Sequence, residues 1–437
     1  MLLAAGELAT GGLKGRITFP GGEDLIMRSI NKALLATLLV TAAAPAPALA
    51  QQQQAAQQQL QPSKEARPAL AALQKAVTEK RAAEIPALAQ AALAAARTPA
   101  DRYFAYQLQL QPALDAKNDA MLLTAMEGMI ATGIPTGSQL ANLNFNAARL
   151  NFNANALDKA NQQIEAAVAL EPNNVNHQLI LGEIRNRQKR APEAVAALQK
   201  ALQLQQAEGK PFDQRVADRA LGIAYTAKLP IARELAVAQL RRAPTAKNWR
   251  TAIKLYEQTS NLPAADKIDL FRLQRLTNSF EGEGDYFPYV DALMTRGLPG
   301  EAKVVLEEAF AANKLDRAKE PWKDMHASVS ARVAGDKASL AAGERTALAA
   351  ATARPALNTG DAFLSYGDYA RAIALYRAAL AKPGVDADLA NLRLGIALAR
   401  SGDRAGATTA LNAVKGARAG VAQMWLVYLS MPAAAAA

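Results

Sequence analysis

Cysteine is absent from this chain. That excludes disulfides, thiolate metal sites, cysteine nucleophiles and a lipid anchor built on an N-terminal cysteine. Histidine is scarce: His177 and His326 are the only two, neither lies in an HExxH pattern, and without cysteine they assemble no zinc set. No phosphate-loop, nucleophile-elbow or dinucleotide-binding glycine motif occurs, and no strand pattern is present to hold one. The residues thus predict no enzyme, no metal and no cofactor. Aromatics make up only 5% of the chain. At ~25 cal/mol per Å² of buried apolar surface, stability must come from many small contacts.

What the chain has is repetition. Residues 358 to 414 state one pattern twice: Gly360, Phe363, Gly367, Tyr369, Ala372, Tyr376 and Ala379 are answered by Gly395, Leu398, Gly402, Ala407 and Leu411. A glycine between two helical periods is what a helix, turn, helix unit requires. Upstream, Ala148, Ala160, Ile164 and Ala167 are followed at a constant step by Gly182, Ala194, Leu198 and Ala201, with Pro172 closing the first of these units. Trp249, Tyr286, Trp322, Ala356, Asn391 and Trp425 succeed one another at steps of 37, 36, 34, 35 and 34 residues, so all three tryptophans share one repeat position. One helix pair cannot bury its apolar face alone, so such units stack into an array whose product is an extended surface.

The spacing resembles the tetratricopeptide repeat, a helix pair of about 34 residues. Gly360, Gly367, Tyr369, Ala372, Tyr376 and Ala379 take the family's small and aromatic places, although Pro383 arrives one residue early and Ala356 stands where a bulky residue is usual. The resemblance implies an all-α, right-handed superhelical solenoid of stacked antiparallel helix pairs, roughly 11 units over residues 62–430. Residues 64–131 keep helical periodicity without the repeat signature. AEGKPFD, with Gly209 and Pro211, lengthens one turn, and EGEGD at 281–285 reads as a loop or a slow helix start. Trp425, Val427 and Tyr428 begin a last, unpaired helix. It is expected to pack its indole against the helices of Leu394, Leu398 and Leu411 and so to cap the array.

The N-terminal segment points to export. From Met27, the charges Arg28 and Lys32 precede a 12-residue apolar run, Ala33 to Ala44, then Pro45, Pro47 and the small residues Ala48, Leu49 and Ala50. That order is a secretory signal peptide over 27–50, and its apolar run falls well short of the ~20 residues that span a bilayer. Cleavage after Ala50 predicts a periplasmic protein beginning at Gln51, with a flexible glutamine-rich lead over 51–61 and no transmembrane anchor after cleavage. Residues 1–26, with six glycines and no apolar period, read as a mis-assigned or disordered extension, and 431–437 as a disordered tail.

The formal net charge is +11. Basic residues gather loosely at Arg185, Arg187, Lys189 and Arg190, at Arg241, Arg242, Lys247 and Arg250, and at Arg272 and Arg275. A nucleic-acid surface needs denser charge with interleaved aromatics, so no nucleic acid is expected. Solvated helix faces or an acidic partner, such as an anionic envelope polymer, remain.

The most unusual local stretch is ANLNFNAARLNFNAN, 141–155. On a helix, Asn142, Asn146, Arg149 and Asn153 form one stripe between two apolar sides. In the family the first helix of each pair lines the concave groove. The resemblance places Asn142, Phe145, Arg149, Phe152 and Asn153 at groove positions, with Asn176, Glu183, Asn186 and Arg187 following in the next unit. Asn142, Asn146, Arg149, Asn153, Asn176, Asn186 and Arg187 are therefore the candidate peptide-binding groove: amides bond an extended backbone and arginine clamps a carboxylate. That register puts Asn144 and Asn151 where bulky residues are usual. The alternative, shifted by one, puts Phe145 and Phe152 in the core.

The function expected is a periplasmic scaffold that holds a protein or peptide partner in its concave groove and organises an envelope complex. The alternative is an accessory subunit of polysaccharide or peptidoglycan machinery that binds an anionic polymer. An all-helical hydrolase with an unrecognised site is the third reading.

Overall fold

The computed structural model describes residues 60–260 and 262–431. The expected signal peptide, the segment before it, most of the glutamine-rich lead and most of the tail lie outside the described residues. Among the described residues all regular structure is helical, with 20 α-helices and no strand. The chain divides into two compact units at Leu229/Pro230, each taken by itself below.

The N-terminal unit contains α1 (Arg67–Thr78), α2 (Ile85–Ala95), α3 (Pro99–Asp115), α4 (Asp119–Ala131), α5 (Gly137–Asn153), α6 (Leu157–Leu170), α7 (Val175–Arg187), α8 (Ala191–Ala207) and α9 (Gln214–Thr226). Helices α1 to α8 pack as four consecutive pairs, and α8 continues onto α9. The turn inside each pair contains a residue in the left-handed region: Lys80, Lys117, Asn155 and Lys189, all with φ between 49° and 62°. A side chain there costs about 1 kcal/mol or more relative to glycine. All four pairs share this device, including the two whose repeat signature is clear, so the turn itself carries no glycine signal in this unit.

The C-terminal unit contains α10 (Ala232–Arg242), α11 (Ala246–Thr259), α12 (Ile268–Leu276), α13 (Glu283–Arg296), α14 (Pro299–Ala311), α15 (Trp322–Ala349), α16 (Ala353–Ser365), α17 (Tyr369–Leu380), α18 (Ala387–Ser401), α19 (Arg404–Asn412) and α20 (Ala419–Ser430). The segment 281–285 is a short loop running into α13, which begins at Glu283. Where Trp322 opens a unit expected to be a helix pair, the structure has one helix of 28 residues. Residues 323–349 are rich in alanine and contain no proline, so nothing stops the helix.

The repeated glycines answer to one contact. A Cβ on Gly182 would stand 2.8 Å from Leu198, on Gly360 2.7 Å from Tyr376, and on Gly395 2.6 Å from Leu411. The second helix of each pair lays its large side chain on the bare backbone of the first. Ala148 and Ile164, fully buried in one core cluster, stand at the same interval.

The last helix does more than the expected cap. It packs on α19 and α18, and also on α12. The Trp425 Nε1–H donates to the Asp269 carbonyl oxygen at 2.9 Å, Arg418 bonds Asp266, the Tyr256 hydroxyl donates to the Ala417 carbonyl at 3.3 Å, and the Trp249 and Tyr428 rings meet edge to face. The C-terminal unit therefore closes on its own beginning.

Candidate functional site

Helices α5 and α7 carry every candidate groove residue. Helix α5 ends where Asn155 turns left-handed. Helix α7 starts at Asn174, whose side chain accepts from the backbone N–H of Asn176 and of His177 and so satisfies two free donors of the first turn.

Phe145 and Phe152 are core residues, packed with Ala148, Ile164, Ile180 and Ile184. Asn144 and Asn151 are buried as well, and both are bonded. The Asn144 amide donates to the Leu140 carbonyl at 3.0 Å. The Asn151 amide donates to Glu127 at 3.0 Å and to Gln163 at 2.8 Å, joining α4, α5 and α6. Polar groups fill bulky positions here because each finds a partner.

The asparagine stripe does not face solvent as a whole. Asn146 is 7% exposed; its amide donates to the Asn142 carbonyl at 2.9 Å and its oxygen accepts from Arg149 at 3.3 Å. It thus supports Arg149 rather than offering itself. Asn142 is half-buried, while Asn153 and Asn176 are exposed. At 1.5 Å rise per residue, Asn176 stands about 16 Å along α7 from Arg187, and Asn142 about as far along α5 from Asn153. Asn176 instead lines a separate open cavity of about 510 Å³ with Asn173, Asn174, Glu208 and Lys210.

Toward the C-terminal ends lie Arg149 and Asn153 on α5 and Asn186 and Arg187 on α7, and the stacking of Arg187 on Phe152 ties the two helices together there. The Arg149 guanidinium lies 5.8 Å from the Phe145 ring centre, and that of Arg187 5.2 Å from Phe152. Burial lowers the Arg149 pKa against the pull of Asp119, but a guanidinium stays charged throughout the physiological range. Arg187 is exposed. Each cation thus stands on a core aromatic that fixes its place.

Sequence reasoning missed the neighbour of this pair. Arg219 on α9 grips Glu183 on α7 with two bonds, at 2.9 and 2.8 Å, and Glu183 raises the Arg219 pKa. Register alone gave no signal: Glu183 follows Arg149 at the repeat step, but the lengthened AEGKPFD turn shifts α9, so Arg219 does not hold the corresponding place.

The loose basic clusters are each partly consumed. Arg185 is bonded by Glu165 and Glu193, Arg190 by Glu193, Arg250 by Asp285, Arg272 by Asp269 and Glu301 and Arg275 by Glu308. The acidic run fares likewise: Asp285 holds Arg250 and Lys254, and Glu283 holds Lys319. Among the described residues no group of three histidines or acids is placed to hold a metal ion. No described helix is long and apolar enough to cross a membrane.

No protein family and no curated protein matches the chain in sequence. Among solved structures, Naa15/Naa10 bound to HypK-THB is similar at 11% identity and a TM-score of 0.29, over 76% of this chain and 64% of that one. The APC/C heterotetramer Cut9–Hcn1 is similar at 14% identity and a TM-score of 0.21, over 75% of this chain and 68% of that one. Likeness at this level carries no argument. The fold rests on the chain's own helix pairs.

Proposed function

We propose that this chain is an exported, tetratricopeptide-like scaffold that holds an acidic or C-terminal segment of a protein partner at the C-terminal ends of α5 and α7. The observation that carries the reading is the pair Arg149 and Arg187, each set on a core phenylalanine. Cations held in this way lose little conformational freedom on binding, and Asn153, one helical turn beyond Arg149, and Asn186, next to Arg187 in sequence, would offer amides to a peptide backbone. Export to the periplasm rests on the run from Arg28 to Ala50, and the exported form is expected to begin at Gln51. The reading assigns the chain no reaction of its own. No structural feature favours an anionic polymer, since in each cluster at least one basic residue is paired with acids of the fold.

The test begins with crosslinking in intact cells to capture the partner, where a protein and a polymer give different products. The Arg149→Gln/Arg187→Gln variant should keep its helical circular dichroism and bind the captured peptide at least tenfold more weakly, because each lost charged hydrogen bond is worth about 1.5 to 3 kcal/mol. Undiminished capture by the folded double variant would move the site elsewhere.

A further inference from the structure

We propose that the C-terminal unit binds a small organic anion carrying two or more acidic charges, in the cavity bordered by α12, α14, α15, α16 and α18. This site is separate from the α5 and α7 face and does not depend on it. The cavity measures about 320 Å³, at the lower end of the ~300 to 1,000 Å³ usual for small-molecule sites. The buried indole of Trp425 and the side chain of Ile396 give it an apolar floor.

Its charge is unbalanced. Arg272, Arg275, Lys303, Lys337 and Arg400 line it against only two carboxylates, Glu301 and Glu307. Three of the cations are already answered: Arg272 by Glu301 and Asp269, Arg275 by Glu308, and Lys303 by Glu307 at 3.6 Å. Lys337 and Arg400 pair with no carboxylate among the described residues. Lys337 Nζ lies 5.2 Å from the Tyr366 ring centre, and the Arg400 guanidinium 5.4 Å from that of Tyr369. Cation–π contacts hold these side chains in place without neutralising them.

The wall that carries them is fixed before any ligand arrives. The Tyr366 ring lies on the bare backbone of Gly300, where a Cβ would come within 2.3 Å of it, and its hydroxyl donates to Asp336 at 2.7 Å. Gly367, with φ of 77°, makes the turn that brings Tyr366 and Tyr369 to the same mouth. Arginine offers a fork for a planar carboxylate or a phosphate and lysine a point charge, while the tyrosine rings and Ile396 suit a flat or apolar body. The shared chemistry is that of an organic phosphate or a polycarboxylate.

The test is calorimetric titration of the full chain with phenyl phosphate, citrate and, as a neutral control, phenol, with intrinsic tryptophan fluorescence as a second readout. One anion or both should bind at low salt, more weakly as salt rises, and which of them binds separates the two sources. Phenol should not compete. Lys337→Gln/Arg400→Gln should retain its helical circular dichroism and weaken binding at least tenfold. Failure of both anions to bind, equal binding of phenol, or full affinity in the folded double variant would each overturn the proposal.

Discussion

Gly182 against Leu198 and Gly395 against Leu411 are the same contact in the two units, yet what lies buried around them differs. In the N-terminal unit the buried Arg185 reaches exposed acids, Glu165 and Glu193, and buried acids and amides are met without arginine: Asp101 takes backbone N–H groups, and Asn151 meets Gln163 and Glu127. In the C-terminal unit they are met by arginines. Arg272 holds Glu301 and Asp269, Arg393 holds Asp361, and the Tyr289 and Tyr376 hydroxyls donate to Glu301 and Asp361 at 2.6 and 2.9 Å. In the consecutive stack backbone N–H groups suffice even for a fully buried acid such as Asp101. A unit closed on its own first helices has an interior, and charges sealed there require fixed opposite charges.

The largest effect expected follows from breaking that interior. Arg272→Met leaves Glu301 buried without its principal cation and Asp269 with Arg393 alone, and should destabilise the C-terminal unit by about 3 to 5 kcal/mol. Arg272 and Tyr289 together hold the Glu301 carboxyl below the usual range although burial pushes it up, while burial wins at Asp269. All three tryptophans lie in this unit, so their fluorescence follows its unfolding alone and circular dichroism follows both. In denaturant the variant should shift the fluorescence transition and leave amide-exchange protection in α1 to α8 unchanged. Equal loss in both units would show that the sealed charges do not set them apart.

Next in size is the closure itself. Trp425 is fully buried, and replacing it by alanine should cost about 3 kcal/mol, toward the low end for a core aromatic because α20 is a single short helix that can relax into the space. In an open stack, protection would be lost in α18 to α20 only. Closure predicts that α11 and α12 lose protection together with α20, although Asp269 is 156 residues away in sequence. Hydrogen exchange on Trp425→Ala decides between them, and loss confined to the last helices would refute the closed unit.

The same contrast sets what could be read from the sequence. Helix positions, the recurring small residues and the shared place of the tryptophans are local and periodic, so they were legible. The turns of the N-terminal unit were not, because Lys80, Lys117, Asn155 and Lys189 occupy the left-handed region where Gly297, Gly367 and Gly402 punctuate the C-terminal one. The meeting of Trp425 with Asp269 was hidden because Trp425 fits the repeat equally well as an open cap. At the candidate groove, register placed Arg149 and Arg187 on first helices, but periodicity says nothing of a side chain bonding its own helix, as Asn146 does, nor of acids arriving from neighbouring helices, as Glu165 does for Arg185.

The smallest effect separates the units by pH. Asp101 is fully buried, and its carboxylate accepts from the Ser63 N–H at 2.7 Å, the Ser63 hydroxyl at 2.8 Å, the Arg97 N–H at 2.8 Å and the Thr98 N–H at 2.9 Å. Burial would raise its pKa, but these donors outweigh burial and lower it from 3.8 to about 2. A carboxyl whose folded pKa is depressed adds stability above its unfolded pKa and loses it as pH falls through the folded one. Asp101 therefore contributes about 2 kcal/mol at neutral pH, lost between about pH 4 and pH 2. Asp101→Asn presents an amide nitrogen to part of that donor set and should forfeit a similar amount at pH 7, with no further loss over that acid window. The check is hydrogen exchange in α1 to α3 at pH 6 and pH 3. A variant whose protection falls with acid as steeply as that of the parent would assign the acid response to another group.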